Sequence, residues 1–168
     1  MKKILSLFAI VGLMAFSSCS DDDNDVDNDT ISEVIEVNGY NFNSGNGHRI
    51  RYDLNPEIFP GDMVLVYRLV AVEDGVKVWN ALPETAYDNG AFDFSYNFEF
   101  SQFDVDIFML GSDLNSVVSN LRLNQTFRIV IIPGAGNNLT SKKSINLNDY
   151  NAVIKAYNID DSNVKVIN

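Results

Sequence analysis

Phe92, Phe94, Tyr96, Phe98 and Phe100 fall at every second position, with Asp93, Ser95, Asn97 and Glu99 between them. Side chains along a strand point to opposite faces in turn, so this spacing predicts a strand with all five rings on one face. A stripe of five rings in a chain of this size reads as core. Phe103, Val105 and Ile107 continue the apolar set, with Asp104 and Asp106 directed outward into a solvated face. Arg49 to Leu54 alternates polar and apolar, the pattern of a half-buried strand. Met63 to Val72 is apolar except at Tyr67 and Arg68, which predicts a central strand covered on both faces. Ile31 to Val37, ended by Gly39, and Thr126 to Ile132, ended by Pro133-Gly134, are further strands. Val164 to Ile167 is the last.

Asp74-Gly75 separates two β-branched runs. Both central residues of a tight hairpin turn need positive φ, and Asp-Gly is a favoured pair for it. Two short helices are expected. Ser112 or Asp113 would cap Leu114 to Leu121. Asn148 or Asp149 would cap Tyr150 to Asn158, where Tyr150, Val153, Ile154 and Tyr157 make one apolar face. Asn41 to Gly47 and Gly134 to Ser144 read as surface loops. The expected fold is mainly β: an antiparallel β-sandwich or open barrel with one or two short helices, one near the C-terminus.

The first residues follow a different pattern. Lys2 and Lys3 precede the apolar run Ile4 to Phe16, and Ser17-Ser18 precede Cys19. A basic start, a short apolar core and small residues at a cleavage site make a secretory signal, and the run is shorter than the about 20 residues that span a bilayer. Six aspartates then fall within residues 21–29. Such a tract repels itself and has nothing to bury, so it is expected to be a disordered tether. The chain thus divides into a signal peptide over 1–18, Cys19 with a disordered acidic tether over 19–30, and one domain over 31–168. Removing residues 1–18 leaves 10 basic against 23 acidic residues, a net charge of −13. That balance disfavours nucleic acid, and none is expected as a partner, because phosphate contacts need clustered Lys and Arg.

Candidate chemistry is sparse, and no cofactor is expected. Cys19 is the only cysteine, so an internal disulfide is impossible. His48 is the only histidine and lies in a Gly/Asn-rich segment, where it reads as an exposed loop residue. A zinc site would lack ligands. Asp25, Asp27, Asp29 and Glu36 match liganding positions of a calcium loop, but Thr30 stands where that loop wants glycine, so no metal is expected. Pro133-Gly134-Ala135-Gly136 lacks the residues of a phosphate-binding loop. Trp79 and Tyr87, near Pro83, are the candidates for exposed aromatic contacts.

Phe16-Ser17-Ser18-Cys19 resembles the lipobox of bacterial lipoproteins, with Phe16 in the place usual for leucine. The resemblance implies diacylglycerol on the Cys19 sulfur and cleavage before it. Ser20-Asp21-Asp22-Asp23 resembles the acidic export signal of surface lipoproteins of the Bacteroidetes, which implies passage across the outer membrane to the cell exterior; the alternative is a domain that faces the periplasm. Asp29-Thr30-Ile31 is similar to the O-glycosylation acceptor of the same bacteria, with Thr30 as the glycan-bearing residue. The whole chain looks like a group of small Bacteroidetes lipoproteins. Val64 to Leu69, Gln125 to Val130 and Asn148 to Ile154 carry that likeness in the domain. The expected function is a non-enzymatic binding or accessory module on the outer membrane. It would be held by the lipid on Cys19 and would meet a protein or glycan partner. The alternatives are a carboxylate-based hydrolase acting on glycans and a self-associating structural component.

Overall fold

Strand pairing sorts the domain into two sheets. In the computed structural model, which describes residues 32–87, 93–134 and 145–168, the nine strands are β1 (Glu33–Tyr40), β2 (Arg49–Asp53), β3 (Met63–Glu73), β4 (Val76–Ala81), β5 (Glu84–Tyr87), β6 (Asp93–Phe100), β7 (Asp104–Gly111), β8 (Gln125–Ile132) and β9 (Lys165–Ile167). Sheet A runs β4-β3-β8-β1-β9 and sheet B runs β2-β7-β6-β5. The protein is mainly β, a two-sheet sandwich with two helices, one of them near the C-terminus. All pairings are antiparallel except β1 with β9, which is parallel.

The core between the sheets joins Ile35, Val37, Val64, Val66, Phe127 and Ile129 of sheet A to Phe94, Tyr96, Val105 and Ile107 of sheet B. Phe42 packs edge-on to Phe127, with ring centroids 5.9 Å apart. The outer face of sheet A is covered in turn by α2 (Tyr150–Tyr157). Asp149 caps that helix, accepting from the Ala152 amide at 3.0 Å, and Asn158 ends it at φ 54°. Tyr150, Val153 and Tyr157 then bury against Val34, Tyr67, Val130 and Ile132.

The Asp74-Gly75 turn forms as expected, at φ 49° and 82°, with Glu73 opposite Val76. Other expectations need correction. Gly39 lies inside β1 at φ 72°, where a register shift lets the strand continue to Tyr40. The expected helix after Ser112 is two pieces, a 3-10 turn at Leu114–Ser116 and the single-turn α1 (Ser119–Arg122), and the Asp113 side chain caps neither. β3 is covered on both faces only in its first half; Val70 and Val72 are exposed because the β3–β4 hairpin runs past its neighbours. The aromatic stripe divides along its length. Phe94 and Tyr96 are buried, Phe98 is half-buried and Phe100 is exposed, while Phe92 lies outside the described residues. Phe103 belongs to the β6–β7 turn and is exposed. His48 is buried rather than exposed, at φ 54°, and its Nε2 has no hydrogen-bond partner. Asp106 is also buried, because two arginines of the neighbouring strand close over it.

Candidate functional site

The loop between β2 and β3, residues 54–62, builds a cleft at one end of the sandwich. Leu54 and Ile58, four residues apart, turn into the core and pin the loop at both positions. Its backbone is sewn to the β6–β7 turn: the Leu54 amide donates to Phe103 O at 2.7 Å and the Ile58 amide to Gln102 O at 2.9 Å. Asp62 closes the loop. One carboxylate oxygen accepts from the Phe59 amide at 2.9 Å and the other from the Gly134 amide beyond β8, also at 2.9 Å.

Between this loop and the rims of both sheets lies a cavity of about 330 Å³. Ile35, Leu54, Ile58 and Ile131 give it an apolar floor, Tyr52 and Gln102 form its sides, and Glu33, Glu57, Asp62 and Lys165 are at its rim. No ion pair joins Glu33, Glu57 or Asp62 to another described residue. Three phenylalanines mark the same end: Phe59 at 51 %, Phe100 at 45 % and Phe103 at 59 % exposure. None of these residues was a sequence candidate. The available signal was a phenylalanine beside turn residues at two places, Phe59 before Pro60-Gly61 and Phe103 after Ser101-Gln102.

Elsewhere, three buried or half-buried acidic residues, Glu36, Glu84 and Asp106, are paired with cations. On the outer face of sheet A, Glu36 binds Lys77 at 2.6 Å and Arg128 at 3.1 Å. Burial works to raise the Glu36 pKa, but those two cations outweigh it and hold the carboxyl below its usual range. Glu36 is therefore a strand residue with its charge already answered, which removes it from the calcium-loop pattern. Arg128 lies 4.6 Å over the Trp79 ring and 5.1 Å over that of Tyr150, and hydrogen-bonds the Tyr150 hydroxyl. Trp79 is accordingly half-buried under a cation and against Tyr150, with ring centroids 5.8 Å apart, rather than a free binding surface. Tyr87 ends β5, in the other sheet from Trp79. On sheet B, Arg49 and Arg51 grip Asp106, each at 2.8 Å. A second cavity of about 310 Å³, beside Arg68 at the opposite end, has its cation neutralised by Glu84.

Cys19, Ser20, Asp21, Asp22, Asp23 and Thr30 lie outside the described residues. Among the described residues, no three His, Cys, Asp or Glu side chains are grouped to hold a metal ion, and no helix is long and apolar enough to cross a membrane. No family model, curated protein or solved structure matches the chain.

Proposed function

We propose that this chain is a lipid-anchored protein of the outer membrane, displayed on the cell surface, whose sandwich is a non-enzymatic binding module that meets a protein or glycan partner at the Ile35–Ile58 cleft. The observation that carries the reading is the position of that cleft. It combines an apolar floor with a charged rim, and Glu33, the first residue of β1, stands on the rim. The chain from Cys19 therefore arrives beside the cleft. Fully extended, it reaches at most about 50 Å from that cysteine. An anchored partner within that distance, such as another subunit of an envelope complex, would be met repeatedly.

The rim carboxylates keep a glycan hydrolase as the second reading. Such an enzyme wants one carboxyl set in an apolar wall, as proton donor, facing a second carboxylate. Glu33 and Glu57 are instead open to water, and both Asp62 oxygens hold the loop. The structural alternative draws on the exposed phenylalanines.

A photo-crosslinking residue at Phe59 in cells expressing the full chain tests the reading, with Val72 at the opposite end as control. Adducts with another macromolecule from position 59 alone are expected. Adducts only between copies of this chain favour the structural component, and their absence at 59 sinks the cleft as the contact site.

A further inference from the structure

We propose that the cleft takes a lysine or arginine side chain presented by a partner polypeptide, its aliphatic stem on the floor and its cation at the rim. The inference rests on the binding-module reading and adds the chemistry of the ligand.

Three features of the cleft converge on this class. The floor is wholly aliphatic, formed by Ile35, Leu54, Ile58 and Ile131. It offers no donor or acceptor to a buried polar group, and burying a polar group without a partner is costly. The rim carries three carboxylates against one ammonium, Lys165. Asp62 holds the Phe59 and Gly134 amides with its two oxygens, which leaves Glu33 and Glu57, free of ion pairs with described residues, to meet a cation, whereas Glu36, Glu84 and Asp106 are each matched by cations. Long basic side chains suit such a site, because their stems cover apolar surface while the charged head stays in water.

Size narrows the choice. A cavity of about 330 Å³ is at the small end of ligand sites and suits one or two side chains. Sugar sites are usually built on flat aromatic faces with a polar edge, and here only Tyr52 and Phe59 line the cleft, the latter on its lip. Phe59 gives an apolar contact to whatever flanks the basic residue, so a basic residue between apolar neighbours fits best. The net charge of −13 left once residues 1–18 are removed favours approach of a basic partner at long range.

The test uses the full chain in detergent micelles with labelled isoleucine δ1-methyl groups, so that Ile35, Ile58 and Ile131 report on the floor. Ile145 and Ile154, packed on the other side of sheet A, serve as controls. Three blocked Leu-X-Leu peptides are titrated, with X as lysine, norleucine or glutamate, alongside cellobiose. The lysine peptide should move the floor methyls and bind roughly three- to tenfold tighter than the norleucine peptide, the scale of one or two exposed ion pairs. That advantage should vanish in the double variant Glu33→Gln/Glu57→Gln and in high salt. Equal binding of the lysine and norleucine peptides would overturn the cation assignment and leave an apolar binding cleft standing. Cellobiose moving the floor methyls at lower concentration than any peptide would overturn it in favour of a glycan. Failure of all four probes to move those methyls would overturn the ligand class and the cleft reading together.

Discussion

Arg68 and Glu84 join the two sheets where the chain crosses between them. The Arg68 guanidinium donates from Nε and Nη2 to both oxygens of Glu84, at 2.8 and 2.9 Å. It also lies 4.6 Å over the Tyr96 ring and reaches Gln125 at 3.3 Å. The pair is almost fully enclosed, so removing one partner strands the other in low dielectric. Glu84→Ala should cost about 3 kcal/mol, the range for breaking a buried pair. Arg68→Met combined with Glu84→Leu should cost less than Glu84→Ala alone, since it strands no charge. Urea unfolding of the three proteins decides this. An equal loss in all of them would show that the site contributes shape rather than charge pairing.

Acid should weaken the fold through Asp106 and Glu36. Hydrogen bonds from Arg51, then from Arg49, hold the Asp106 carboxyl below its ordinary 3.8. In Glu36, burial works to raise the pKa from 4.5, but Lys77 and Arg128 prevail and it too is lowered. Groups whose folded pKa is depressed stabilise the fold above their unfolded values and lose that contribution as pH falls through the folded ones. The urea midpoint should therefore hold steady down to about pH 5 and fall below it. Asp106→Asn should lower the midpoint at pH 7 and flatten the fall. An unchanged slope below pH 5 in that variant would show that the ion pairs on sheet B carry no linkage.

The elements legible in the sequence were those decided by nearby residues. Asp74-Gly75 forms its turn because the positive φ values are a local demand. Tyr150 to Tyr157 is helical because its cap and its apolar face lie within nine residues. The alternation around Tyr96 located β6, yet it could not show where the opposite sheet ends, and so it placed Phe100 in the core. Asp106 was misread for a related reason. Its partners, Arg49 and Arg51, lie more than fifty residues away and meet it only through the β2–β7 register. The cleft draws residues from β1, β2, the 54–62 loop, the β6–β7 turn, the end of β8 and β9. No window of sequence contains it.

Gly134 ties the exit of β8 to the loop that walls the cleft. A Cβ on this residue would sit 2.2 Å from the Gly61 carbonyl oxygen, a backbone atom that cannot swing aside. Its amide meanwhile donates to Asp62. Gly134→Ala should push the β8 exit away from the 54–62 loop and break that hydrogen bond, at a cost of about 1–3 kcal/mol. The loss should be local. Methyl signals of Ile35, Ile58 and Ile131 should move, while those of Ile145 and Ile154 stay in place. Undisturbed floor signals would mean that the loop keeps its shape without this contact.

The anchoring reading makes a prediction that needs no knowledge of the partner. If Cys19 carries the lipid, cells fed an alkyne fatty acid should label the wild-type chain, and Cys19→Ala should lose both the label and its sedimentation with membranes. Multiple acyl chains at about 0.8 kcal/mol per buried CH2 make that attachment effectively permanent, so partial release on washing is not expected. Display is tested separately, with a C-terminal tag and protease added to intact cells that also carry a periplasmic control. Replacing Asp21, Asp22 and Asp23 together with asparagine keeps length and polarity but removes the acidic tract. The wild-type tag should be cut, and the tag of the triple variant should survive while remaining lipid-labelled. Survival of the wild-type tag would place the domain inside the outer membrane and turn the search for the cleft's basic partner toward periplasmic proteins.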